Sequence, residues 1–364
     1  MSSAFVPRPI APGGDAWGSH RALGGLPQPA WQVDNDFTRL FEGEVLLEVE
    51  TLNVDAASFT QMMRAAQEQA AASGLDGDAG TDQVAHMVLR IVGERGKLHN
   101  PATGSGGMLL GRVLQLAPGR REEPALSPGD RVATLVSLSL TPLRLDSVRG
   151  VRRASAQLDV TGEAVLFASG SLVKLPADMP ERVALAVLDV AGAAPQVARL
   201  VRPGQVVAIL GAGGKSGVLC AVEARRAGGA GATIVGVEAY AGAAAELEAL
   251  GVCDAVVVGD ARDPVAVRRA VMGAAGGREA DLTISCVNVP GAELAAILAT
   301  RDRGAVYFFA MSTSFTAAAL GAEGVGRDVD LFIGNGFCHG HAEHTLALVR
   351  SSPALRALLE ARYR

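Results

Sequence analysis

Residues 206–217 read Val206-Val207-Ala208-Ile209-Leu210-Gly211-Ala212-Gly213-Gly214-Lys215-Ser216-Gly217. Five apolar residues without polar alternation predict a strand covered on both faces, as in a parallel sheet. The strand runs into a glycine turn and then a helix, predicted over Gly217–Ala227. Gly211 permits the tight turn, and Gly213 and Gly214 let backbone approach an anion. The helix opening near Lys215 aims its free N–H groups and positive dipole end at that anion. Ser216 stands at the third position of G-x-G-x-x-G, so that match is imperfect, whereas the register Gly211, Gly214, Gly217 is complete. Gly214-Lys215-Ser216 imitates the end of a P-loop, but the glycine which that motif needs five residues earlier is Ile209, inside the strand. A tight turn without ligand is the other reading. The next strand, Thr233–Val237, ends on Glu238, 21 residues past Gly217. A carboxylate there accepts the ribose hydroxyls of NAD and repels a 2′-phosphate; a solvated strand-end charge is the alternative. Strand, turn, helix and acid together predict a dinucleotide site, NAD preferred over NADP.

The rhythm continues outward. Apolar strands at Ala255–Val258, Leu282–Cys286, Ala305–Ala310 and Val329–Ile333 alternate with helices such as Pro264–Ala275. This is the βαβ order of a Rossmann-type, doubly wound parallel sheet. Asn288 and Ser312 end later strands, where cofactor contacts gather, and join the predicted cofactor residues. Asp178-Met179-Pro180-Glu181 reads as a capped helix start. Helices are predicted at Ala342–Arg350 and after Ser352-Pro353.

The first half has a different texture. Residues 1–43 are Pro- and Gly-rich and read as an arm. Glu44–Glu50 alternates as a half-buried strand. Helices are predicted over Phe59–Ala72 and Asp82–Glu94, with a polar insertion at Ser73–Thr81 between them and Gly96 stopping the second. Strands follow at Gly111–Leu116 and Arg131–Leu138. The expected organisation is a β-rich domain over 1–180, a dinucleotide-binding domain over 181–334, and C-terminal helices over 335–364 returning to pack on the first domain.

The whole chain of 364 residues is 49% hydrophobic and 20% charged, with net charge −5 and few aromatics. That excludes global disorder and argues against a nucleic-acid partner. Cys220, Cys253, Cys286 and Cys338 stand far apart, without a Cys-x-x-Cys pair, which argues against a disulfide framework or a four-Cys zinc lobe. Met1–Pro12 has no apolar secretory core. The uncharged run Gly304–Ala322 carries Ser312, Thr313, Ser314 and Thr316 in its middle and reads as a strand and a loop rather than a membrane span. The expectation is a soluble, cytoplasmic protein with no membrane partner.

A β-rich domain followed by a nucleotide-binding one resembles the medium-chain dehydrogenase/reductase superfamily, with its GroES-like catalytic domain. The resemblance lies in Gly43–Ser58, Gly111–Val132 and Leu175–Glu238. Zinc members carry Gly-His-Glu before Gly-x-Val; here that place reads Gly106-Gly107-Met108-Leu109-Leu110-Gly111-Arg112-Val113. Nor has the first cysteine ligand a counterpart near Asn53–Ser58. The resemblance therefore implies catalysis without zinc. A closer one rests on Gly18-Ser19-His20-Arg21, Leu26–Trp31, Asn53–Gln61, Glu94–Pro101, Thr103–Met108, Ser285–Gly291, Phe308–Gly321 and Ile333–Gly336. These stretches are similar to the L-erythro-3,5-diaminohexanoate dehydrogenase family. That implies NAD-linked oxidative deamination of a diamino acid in lysine fermentation, and a homodimer through Val329–Ile333.

Such chemistry needs a base to deprotonate an ammonium and then activate water, and an acid to receive the second ammonium. His99, Asn100, Thr103 and Ser105 occupy the region of the zinc ligands in relatives and are predicted to face the reacting ring; a glycine-rich structural turn is the alternative. Lys97 is a carboxylate anchor or a surface lysine. Asn335, Cys338, His339, His341, Glu343 and His344 form a second loop, open to substrate contact, a polar helix start or, against its spacing, a metal. His339 and Glu343 are the predicted base region, with His99; Asp55, Asn100, Thr103, Ser105 and Asn335 are the predicted substrate contacts, although Asp55 also suits a turn cap. A quinone or enoyl reductase, and a non-catalytic NAD(H)-binding redox sensor, are the rival functions.

Overall fold

The computed structural model describes residues 5–22, 24–72, 79–102, 104, 106–120 and 126–363, apart from the side chains of 56, 57, 69–72 and 79. Most of the polar insertion, residues 73–78, and the candidates Thr103 and Ser105 lie outside the described residues. The chain divides into two compact units, Met1–Pro176 and Ala177–Arg364.

In the first unit the arm contributes β1 (Ile10–Ala11), which pairs in parallel with β2 (Leu40–Phe41). Arg21 fastens the arm: its guanidinium is buried and bonds both oxygens of Glu44 and the Asp36 and Arg39 carbonyls. A buried pair of this kind stands only because nearly every donor is used. β3 (Val45–Asn53) leads into α1 (Ala56–Ala72) and α2 (Ala79–Arg95), then β4 (Met108–Leu116) and β5 (Arg131–Thr134). β6 (Leu143–Arg152), β7 (Gln157–Leu166) and β8 (Leu172–Lys174) complete an antiparallel sheet of order β6-β7-β3-β4-β5-β8. Leu47, Val49 and Leu52 of β3 form its core with Phe59 and Met62 of α1 and Val88 and Val92 of α2. Gly96, at φ +68°, stops α2.

The second unit opens with α3 (Glu181–Leu188) and α4 (Ala193–Leu200). The expected Asp178 cap is corrected: Pro180 is the N-cap, and Asp178 pairs with Arg350 at 2.8 Å instead. Then follow β9 (Val206–Leu210), α5 (Lys215–Gly228), β10 (Thr233–Glu238), α6 (Ala241–Ala249), β11 (Ala255–Val258) and α7 (Pro264–Ala274). β12 (Ala280–Ser285), α8 (Glu293–Ala299), β13 (Thr300–Phe308), α9 (Phe315–Gly324) and β14 (Val329–Ile333) complete a parallel sheet of order β11-β10-β9-β12-β13-β14. The loop expected after Ala310 winds into α9, because Ser314 accepts the Ala317 N–H and caps a helix. α10 (His341–Ser351) and α11 (Pro353–Arg362) end the chain. They pack on α3, α4 and α5 within the second unit. Among the described residues no single helix is long and apolar enough to cross a membrane.

Candidate functional site

Strand order reverses between β9 and β12, and in such sheets the ligand crevice lies outside the strand ends at that point. The glycine turn sits there. Gly211 has φ +70°, and a Cβ on it would come within 3.1 Å of the Cys286 carbonyl. A Cβ at Gly217 would stand 2.2 Å from Gly211 O, so only glycine lets α5 close on the turn. Gly214 is the N-cap of α5 and supplies no side-chain cap, leaving the first N–H groups of Lys215, Ser216 and Gly217 available to an anion. Glu238 is buried at the end of β10. Its Oε2 accepts the Gly213 N–H at 2.9 Å, and its Oε1 accepts the N–H groups of Ala239 and Tyr240 at 2.9 and 3.2 Å. A carboxylate offers about four lone-pair directions, so one remains for a ribose hydroxyl. Ser312, after β13, donates to Val287 O at 2.9 Å and ties the loops that follow β12 and β13 together. Asn288 is exposed one residue further on. The turn thus fits a dinucleotide: its cradle is one that side chains would fill.

The first unit carries the second set of candidates. Asp55 precedes α1, and its Oδ1 accepts the Ser58 N–H at 2.9 Å, the capping role. Its Oδ2 is buried and takes no hydrogen bond among the described residues. Asn100 reaches the same helical turn, donating to Gln61 Oε1 at 3.0 Å. His99 is next to it in the chain, with Nδ1 buried and likewise unengaged among the described residues. Burial holds the His99 imidazole below its ordinary pKa, helped by the charges of Lys97 and Arg95. The ring is therefore neutral, as a proton acceptor must be.

Lys97 is not a surface lysine. It is wholly buried, and its Nζ donates to the carbonyls of Pro27 and Gln28 at 2.5 and 3.0 Å. Burial, with the Arg95 charge, lowers its pKa to about 8. Arg95 lies 3.8 Å over the Trp31 ring and donates to His99 O. The arm thus grips the segment that carries His99. Neighbouring backbone keeps positions 106 and 107 free of side chains. A Cβ on Gly106 would meet Leu98 O at 2.2 Å, and one on Gly107 would meet Asn53 O at 2.2 Å.

The third group is dispersed. His339 is exposed and packs edge-on against Phe337. Glu343 is exposed in the first turn of α10. His341 is buried, and His344 meets Glu223 at 3.2 Å. Asn335 accepts from Gln196 through its carbonyl and from the Phe337 N–H through Oδ1. No three His, Cys, Asp or Glu side chains gather for a metal among the described residues. The sequence reading missed Asp189, which ends α3 and forms an ion pair with Lys215. A lone acid at a helix end carries no pattern that periodicity detects.

The antiparallel unit followed by a doubly wound one is the architecture of the alcohol dehydrogenase-like medium-chain dehydrogenases/reductases. An alcohol dehydrogenase from Thermotoga maritima superposes with TM-score 0.54 at 17% identity, covering 88% of this chain and 87% of that one. A mycobacterial protein complexed with NADPH gives TM-score 0.54 at 17% identity over 93% and 92%. Residues 20–176 match the L-erythro-3,5-diaminohexanoate dehydrogenase N-terminal domain. The enzyme of that name from Acetoanaerobium sticklandii is 47% identical over 96% of this chain and 99% of its own. That from Fusobacterium nucleatum is 44% identical over the same shares. The chain belongs to the L-erythro-3,5-diaminohexanoate dehydrogenase family.

Proposed function

We propose that the chain catalyses the NAD-dependent oxidative deamination of L-erythro-3,5-diaminohexanoate, a step of lysine fermentation. Diamino acid, NAD⁺ and water become 5-amino-3-oxohexanoate, ammonia, NADH and a proton. Identity of 47% spread over 96% of the chain carries the reading. Bound NAD supplies the acceptor for the hydride that leaves C3 of the substrate.

The chain's own residues do the rest. The N–H groups of Lys215, Ser216 and Gly217 take the diphosphate. Glu238 accepts a ribose hydroxyl, and a 2′-phosphate beside it would set anion against anion, which favours NAD over NADP. His99, neutral through burial and flanking cations, takes the proton of the 3-ammonium, releases it to solvent, and then takes one from the water that attacks the iminium carbon, returning that proton to the departing ammonia. Asp55 Oδ2, which takes no hydrogen bond among the described residues, receives an ammonium of the substrate. Asn100 and Asn335 are substrate contacts in this reading, Asn288 and Ser312 cofactor contacts, and His339 and Glu343 the rival bases. NADH fluorescence tests it. NADH forming with 3,5-diaminohexanoate supports the proposal; NADH consumed by quinones or enoyl thioesters, or bound without turnover, favours one of the rivals.

We also propose a homodimer. Among the described residues β14 pairs only with β13, and Phe332 and Ile333 are exposed at the sheet edge. A second copy offering the same edge would close it by two-fold pairing.

A further inference from the structure

The ion pair between Lys215 and Asp189 joins the phosphate turn to the corner between α3 and α4. Lys215 is the first residue of α5, and Asp189 closes α3. Both side chains are about one-third exposed, at 29% and 37%. The corner's position is set on its other side. A Cβ on Gly192 would meet Gly336 O at 2.6 Å, Gln196 donates to Asn335 O, and Thr345 donates to Ala191 O. Residues 189–192 are therefore held between the start of α5 and the loop that follows β14. In the sheet order, β14 lies on the β12 side of the switch point, whereas Glu238 ends β10 on the opposite side. If Glu238 takes the ribose of the adenosine half, Asp189 lies toward the half that reacts.

We propose that Asp189 is a substrate-ammonium receptor, made available when Lys215 turns from it to the dinucleotide diphosphate. The inference rests on the proposed function. A diphosphate brings two negative charges to the start of α5 and competes with Asp189 for Lys215. The carboxylate so released is free to receive an ammonium of a substrate that carries two. Cofactor binding thus creates a subsite for the diamino acid, and binding is ordered, dinucleotide first.

Calorimetric titration of full-length protein with NADH and with 3,5-diaminohexanoate tests this. In the wild type the diamino acid binds at least tenfold tighter once NADH is present. In D189N, NADH binds as tightly as in wild type or tighter, the gain from NADH disappears, and KM for the diamino acid rises at least tenfold with a smaller change in kcat. In K215M, NADH binds more weakly, and the diamino acid binds the cofactor-free protein as well as it binds the wild-type complex. A D189N enzyme with KM within twofold of wild type, or a K215M protein whose cofactor-free form binds the diamino acid no better than wild type, overturns the proposal. Wild-type protein that binds no NADH overturns the dinucleotide reading itself, a separate failure.

Discussion

The Gly213 N–H donates to Glu238 Oε2 across 2.9 Å. The glycine turn and the acid at the end of the next strand are thus one hydrogen-bonded unit, and each orients the other. Replacing Glu238 by Gln keeps the shape and removes the charge. Hydrogen bonds to charged groups contribute about 1.5–3 kcal/mol, so E238Q is expected to lower kcat/KM with NAD by about 10- to 100-fold and to lose less with NADP. Steady-state kinetics with both cofactors checks this; an unchanged NAD-to-NADP ratio removes Glu238 from cofactor choice.

If His99 is the base, it is expected to set the acid limb of the pH profile. Its imidazole titrates below the ordinary value, so the ring stays neutral, and activity persists, until pH falls through that lowered pKa. Removing the Lys97 charge with K97M moves the acid limb of kcat/KM to higher pH, and K97R restores it. H99Q lowers kcat by about 10²- to 10⁴-fold, the usual contribution of a general base. If H339Q or E343Q instead produces that loss while H99Q does not, the base lies in the loop before α10 or at its start.

Gly107 combines φ +86° with a neighbouring carbonyl 2.2 Å from where a Cβ would stand. G107A is expected to destabilise the protein by about 3 kcal/mol, from the left-handed backbone and the forced shift together. Denaturant unfolding of G107A beside G104A, whose added Cβ meets nothing, separates the two contributions.

The edge of β14 has a readable polarity. Gly334 N–H donates inward to Phe308 O, so by alternation the Ile333 N–H turns outward. I333P should leave the sheet intact and convert the dimer to monomer in sedimentation velocity; a dimer that persists removes the edge from the interface.

Much of the second unit was legible because its strands are short, wholly apolar runs between glycine turns. Val206–Leu210, Ala255–Val258 and Val329–Ile333 fall where their composition put them. The β6–β7 hairpin was not read. Leu143–Arg152 carries three arginines and an aspartate along a mostly half-exposed strand, and the apolar signal is diluted. The candidate site was legible where a motif had a local shape, as in Gly211–Gly217. It was illegible where meaning came from distant partners. Lys97 looked like any lysine until Pro27 and Gln28, some seventy residues earlier in the chain, supplied its acceptors. Asp189 gained significance only from Lys215.

The paired glycines at 106 and 107 carry a consequence for descent. The main-chain oxygens of Leu98 and of Asn53, the last residue of β3, occupy the volume where side chains would begin. No side chain could enter at either position without moving that backbone as well. Any change of chemistry at this spot is therefore channelled into the side chains around it rather than into the two glycines themselves.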